Sequence, residues 1–140
     1  MTHMRALAAI AVLIAASALA SAAGAATPVH CQTRSIGPGS LQRGGTAGAA
    51  CLLAAFDNGC RAADYTLSQF GVDTIHSEAF RTLKLPGGHC GVAVLETFRV
   101  IPQKPHLGES HTCGRLRRTA TDIVADRCKP DAATISLTKL

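Results

Sequence analysis

Six cysteines constrain this chain more than any other feature. Cys31, Cys51, Cys60, Cys90, Cys113 and Cys128 all lie beyond an apolar N-terminal leader. An even number of cysteines behind an export signal reads as three disulfides, and hence as a small domain stapled in an oxidising compartment. Six cysteines permit fifteen pairings. Cys113 with Cys128 is the favoured pair, because it would close a hairpin; a loop of about 15 residues stabilises by roughly 3 kcal/mol on the chain-entropy model. No CxxC occurs, so a thioredoxin-like redox motif is absent.

The leader supports the same compartment. Arg5 gives a positive start, Leu7 to Ala16 form an unbroken apolar run, and small residues follow. This is the pattern of a cleaved secretory signal, with cuts expected after Ala20 or, preferentially, Ala26. The apolar run is shorter than the roughly 20 residues a spanning helix needs. The expected organisation is therefore a signal over 1–26 and one small secreted domain over 27–140. Fourteen Lys and Arg, of which only Arg5 belongs to the leader, face nine acids. The mature part is thus mildly basic, without the charge density of a nucleic-acid arm. Tryptophan is absent and aromatics make up only 4%, which excludes large stacking platforms for bases.

"TAGAACLLAAFDNGC" is the best helix, with Thr46 as N-cap and Asn58-Gly59 as a left-handed stop. It is apolar nearly all round and should be buried. Beyond Cys60 the period changes to two. Asp64 to Lys84 reads as one long strand or two, with a bulge near Gly71. "PGG" at 86–88 turns the chain. "CGVAVLETFRVI" is the strongest strand, with Val92, Val94, Phe98 and Val100 on one face and Ala93, Leu95, Thr97 and Arg99 on the other. "IPQKPHLG" breaks it, "SHTCGRLRR" and "ATDIVADRC" form a hairpin, and "ATISLTKL" closes as an edge strand. The fold class is α+β: one buried helix on a curved antiparallel meander, stabilised by disulfides. In element order it resembles cystatin-like architecture, and no family motif accompanies that order.

The stretch "KPHLGESHTCGRLRR" concentrates the candidate chemistry. His106, His111 and Cys113 have ligand-like spacing, and His89 adjoins Cys90, but an oxidised Cys113 cannot ligate as a thiolate; neither metal nor cofactor is expected. A cysteine nucleophile would leave an odd number for pairing. Ser110 and His111 are neighbours on a strand and point to opposite faces, and there is no GxSxG elbow. Glu96 interrupts an apolar face. With Ile101 opposite Glu109, it would lie opposite Gly114, in space left by the missing side chain. It would be either a pocket acid or an ordinary carboxylate paired to Arg81. His76 and Glu78 share a face of the preceding strand and could line the same concavity. The same register places Arg115 and Arg117 outward beside Arg99, and Leu116 inward near Val94.

These residues point first to a secreted, non-catalytic binding or inhibitor-like module, its contact surface the proline loop or the basic strand of Arg99, Arg115 and Arg117. An anionic cell-surface polymer or acidic protein is the matching partner, with no specific nucleic acid and no membrane after cleavage. The second reading is a small secreted hydrolase or ligand-handling enzyme built around Glu96 with His76 or His111.

Overall fold

A computed structural model describes residues 26–139. The expected leader lies outside them up to residue 25. Helix α1, Ala47–Asp57, forms where Ala and Leu dominate. Thr46 stands at its N-cap, but its side chain makes no capping bond there. The chain leaves the helix through positive φ at Gly59 and Cys60, next to the expected stop.

The strands are β1 (Val29–His30), β2 (Arg34–Ile36), β3 (Ala63–Phe70), β4 (Thr74–Lys84), β5 (Cys90–Val100), β6 (His106–Arg118), β7 (Ile123–Lys129) and β8 (Ile135–Ser136). From β3 to β8 they form an antiparallel meander, with β8 at the edge. The sheet curls into a half-barrel with the helix packed on it. Asp64 to Lys84 does not merely bend at Gly71. It reverses there, and the Gly71 amide donates to the Thr74 carbonyl at 2.8 Å. The other edge is a further correction, because β1 and β2 both pair parallel to β3. Parallel neighbours need a long crossover, and α1 is that crossover. The sheet is therefore mixed at this edge rather than wholly antiparallel.

The inner face carries the core. Ala49, Leu52 and Ala55 of α1 pack with Tyr65, Leu67, Phe80, Val92, Val94 and Leu116 from the sheet. Full burial of each large apolar side chain contributes about 1.5–3 kcal/mol. The Tyr65 and Phe80 rings lie 5.8 Å apart, and the buried Tyr65 hydroxyl donates to the Leu137 carbonyl at 2.9 Å. Thr82 Oγ1 accepts from the Ala63 amide and donates to the Arg61 carbonyl, which fixes the entry to β3.

Three disulfides tie these parts. Cys31–Cys51 fastens the N-terminal segment to α1, Cys60–Cys90 fastens the helix exit to the start of β5, and Cys113–Cys128 bridges paired positions of β6 and β7, as expected for that pair. Among the described residues no helix is long and apolar enough to cross a membrane.

The β5–β6 register departs from expectation. The connection is confined to residues 101–105, so β6 begins at His106 and slides along β5. Val94 pairs with His111 and Leu95 with Ser110, whereas Thr97 pairs with Leu107. Glu96 therefore sits at a bulge near Gly108, not opposite Gly114. A shift by an odd number of residues exchanges the faces of a strand, so His111 turns inward instead of standing outward across from Arg99. Cys113 and Leu116 are both buried although three apart. Alternation slips at Gly114, near Arg127 with φ 55°. That slip restores the expected directions of Leu116 and the two arginines.

Candidate functional site

Side chains on the inner face stand in rows across β4, β5 and β6. The first two rows, Thr82–Val92–Cys113 and Phe80–Val94–His111, belong to the buried core. The next row is Glu78–Glu96, completed by the bulge at Gly108 and Glu109. The last is His76–Phe98–His106. Phe98 is well exposed, so this end of the inner face is uncovered among the described residues. The boundary between dry core and open concavity therefore falls on carboxylates and imidazoles.

Glu78 lies on the dry side of that boundary. It is only 6% exposed, and its Oε2 has no hydrogen-bond partner. Glu96 is directly opposite, at a spacing where like charges repel. Burial first, then the Glu96 charge, push the Glu78 carboxyl up to about 7, against a lowering influence from His111. His111, 5% exposed, has an unpartnered Nδ1. Its Nε2 is 3.3 Å from Asp131 Oδ1 and 3.7 Å from Glu109 Oε2. Asp131 is held below the usual carboxylate range, chiefly by the Ala133 amide and secondarily by His111. On the far side of Glu96, His76 Nε2 approaches Glu96 Oε2 to 3.9 Å. Glu109, Ser110, His111, Pro130 and Asp131 line an open cleft of about 270 Å³.

Glycine does create the space beside Glu96, but it is Gly108. A Cβ added there would stand 3.0 Å from Glu96 Cβ and 3.3 Å from its Oε2. The structure thus brings together Glu96, His76, Glu78 and His111. Arg81 is on the opposite face, paired with Asp64 and Ala93, and does not neutralise Glu96. Sequence reasoning uses Glu109 only to set the register opposite Ile101, and does not single out Asp131. Glu109 is two residues before His111 on one strand, and that alternation was the available signal. Asp131 follows β7 in a loop and carries no such signal.

The arginines have a different setting. Arg115 donates through two nitrogens to Asp126, at 2.7 and 2.8 Å, and Arg117 Nε donates to the same carboxylate at 2.6 Å. Asp126 is buried beneath them, and the Arg115 bonds foremost hold its carboxyl down at about 2. Arg99 is at the far end of β5, where its Nε donates to the Gln103 carbonyl. The length of β5 separates it from the other two, a consequence of the shifted register.

A second groove, of about 520 Å³, lies on the outer face. Ala79 and Ala93 floor it, and Leu95, Arg81 and the His30–Asp64 pair rim it. Comparison with protein-family models, curated proteins and solved structures finds no match for this chain.

Proposed function

We propose that this chain is an exported, non-catalytic binding module, inhibitor-like in its helix-then-meander order of cystatin-like kind, whose contact surface is the open end of the concave sheet face. One observation carries this reading. Glu78 is a buried carboxylate without a partner, opposite a second carboxylate, on a face the described chain leaves uncovered. An unpaired buried polar group costs about 1–3 kcal/mol, more when charged, and a cationic group from outside would offset that cost. Glu96, Glu109 and His76 form the accessible rim. Three disulfides suit an oxidising compartment and a site held on a stiff frame.

The test is binding of two labelled peptides, one lysine-rich and one aspartate-rich, at low and physiological salt. The lysine-rich peptide is expected to bind, with affinity falling as salt rises and about tenfold in Glu96→Gln or Glu109→Gln. Preference for the aspartate-rich peptide, lost in Arg115→Ser with Arg117→Ser, would transfer the function to the basic strand and an anionic partner.

A hydrolase is the second reading, and Glu78 favours it. A carboxyl raised to about 7 by burial, directly opposite a second carboxyl, is the kind of pairing that acid–base chemistry uses. Turnover of glycoside or ester substrates abolished by both Glu78→Gln and Glu96→Gln would establish that reading instead.

A further inference from the structure

Within the same cluster, one donor atom each from Glu96, Glu109 and His111 lies within 4.8 Å of the others. We infer that these three residues form a binding site for a divalent transition-metal ion of the zinc class, which deepens the reading of this face as cation-seeking by naming its occupant.

The donor set selects the ion. One imidazole nitrogen with two carboxylates is a mixed N/O set, suited to Zn²⁺ and its first-row neighbours, whereas Ca²⁺ and Mg²⁺ prefer oxygen alone. Zn²⁺ bonds to such atoms at about 2.0–2.2 Å, so tetrahedral ligands stand roughly 3.3–3.5 Å apart. The observed triangle, within 4.8 Å on every side, has to close to that size as the ion enters. The ligating nitrogen is Nε2, which already faces Glu109 and Asp131. Asp131 Oδ1 is nearer that nitrogen than Glu109 Oε2, at 3.3 Å against 3.7 Å, and is a further carboxylate beside the three.

Two further features are independent of this proximity. Glu78 and His111 are each more than nine-tenths buried, and Glu78, directly opposite the ligand Glu96, keeps its Oε2 unpartnered. Hydrophobic packing alone does not explain a buried acid facing another acid. The frame is also preformed: Glu96 and His111 stand on adjacent strands, alternation puts Glu109 on the His111 side, the bulge sets it opposite Glu96, and Gly108 leaves room for the Glu96 carboxylate. Sulfur takes no part, since Cys113 is in a disulfide. With Glu109 largely exposed, a bound ion keeps a position open to solvent, where a donor from a partner can enter.

The experiment is calorimetric titration of the oxidised, chelator-stripped protein with Zn²⁺, and separately with Ca²⁺, at pH 7.5. One equivalent of Zn²⁺ is expected to bind at micromolar Kd or tighter, with Ca²⁺ at least a hundredfold weaker. Glu109→Gln, at an exposed position, and Gly108→Ala should each weaken Zn²⁺ binding tenfold or more while circular dichroism stays unchanged. Asp64→Asn, on the outer face, should leave it as it was. On Zn²⁺ addition the His111 ring resonances should shift in nuclear magnetic resonance spectra. No saturable Zn²⁺ binding, or binding indifferent to Glu109→Gln and Gly108→Ala, overturns the inference. Lysine-peptide binding that survives such a result leaves the cation-seeking face standing without its metal. Loss of both removes the two together.

Discussion

Replacing Asp126 with Asn isolates the charge at the centre of the arginine clamp. The side chain keeps its shape and loses its charge beneath Arg115 and Arg117. Moving a carboxyl from its ordinary 3.8 to about 2 corresponds to roughly 2.5 kcal/mol of preferential stabilisation of the charged form. The guanidinium side chains are 45% and 44% exposed, so water and salt screen the clamp. The expected loss at pH 7 is therefore about 1–2 kcal/mol, or roughly 4–8 °C in Tm. The sign in pH follows from a depressed folded-state pKa. The contribution is complete above the unfolded value near 3.8 and is lost as pH falls toward 2. Urea unfolding of the oxidised wild type and variant, followed by circular dichroism between pH 7 and pH 2, measures the difference directly. The two curves should converge in acid. A gap that persists at pH 2 would refute the electrostatic account in favour of lost packing, and no gap at pH 7 would show that the clamp contributes nothing.

Four further outcomes follow from the packing and the bridges. A Cβ at Gly48 would lie 1.8 Å from the Gln32 carbonyl oxygen and 2.6 Å from the Tyr65 ring, so Gly48→Ala should cost about 3 kcal/mol or more despite its better helix propensity. Gly45→Ala, with open space around it, should be nearly neutral in the same thermal melts. Tyr65→Phe removes the hydroxyl bonded to the Leu137 carbonyl and should lower stability by about 1–2 kcal/mol in urea titration. Thiol titration of the unfolded, unreduced protein should find no free cysteine; two or more per chain would contradict the three bridges.

Much of the frame is legible because its signals are local. The Ala-Leu run, the period-two strands and the closeness of Cys113 to Cys128 each act within a short stretch of chain. β1 and β2 are too short for alternation to emerge, and their pairing with β3 depends on the helix between them. The site was half legible. Alternation alone places Glu96 among valines and puts His76 with Glu78, and the structure joins all three. What alternation does not supply is register. That depends on how tightly residues 101–105 turn and on a bulge beside Glu96, and one odd shift decides whether His111 faces solvent or the carboxylates. Arg81 as the alternative partner of Glu96 rests on charge alone, and its place three residues beyond Glu78 already puts it on the other face.

The bridges have a property that matters before the fold exists. Each joins cysteines that are consecutive along the chain, first with second, third with fourth, fifth with sixth. A chain emerging N-terminus first therefore meets every correct partner as the next thiol to appear. An oxidant that simply couples thiols in order of arrival reaches the native connectivity, with no demand on an isomerase to undo crossed pairs. Swapping the order of emergence by circular permutation between Cys31 and Cys51 would separate that first pair to opposite ends of the chain. Its maturation would then depend on disulfide exchange, a process the natural order spares it.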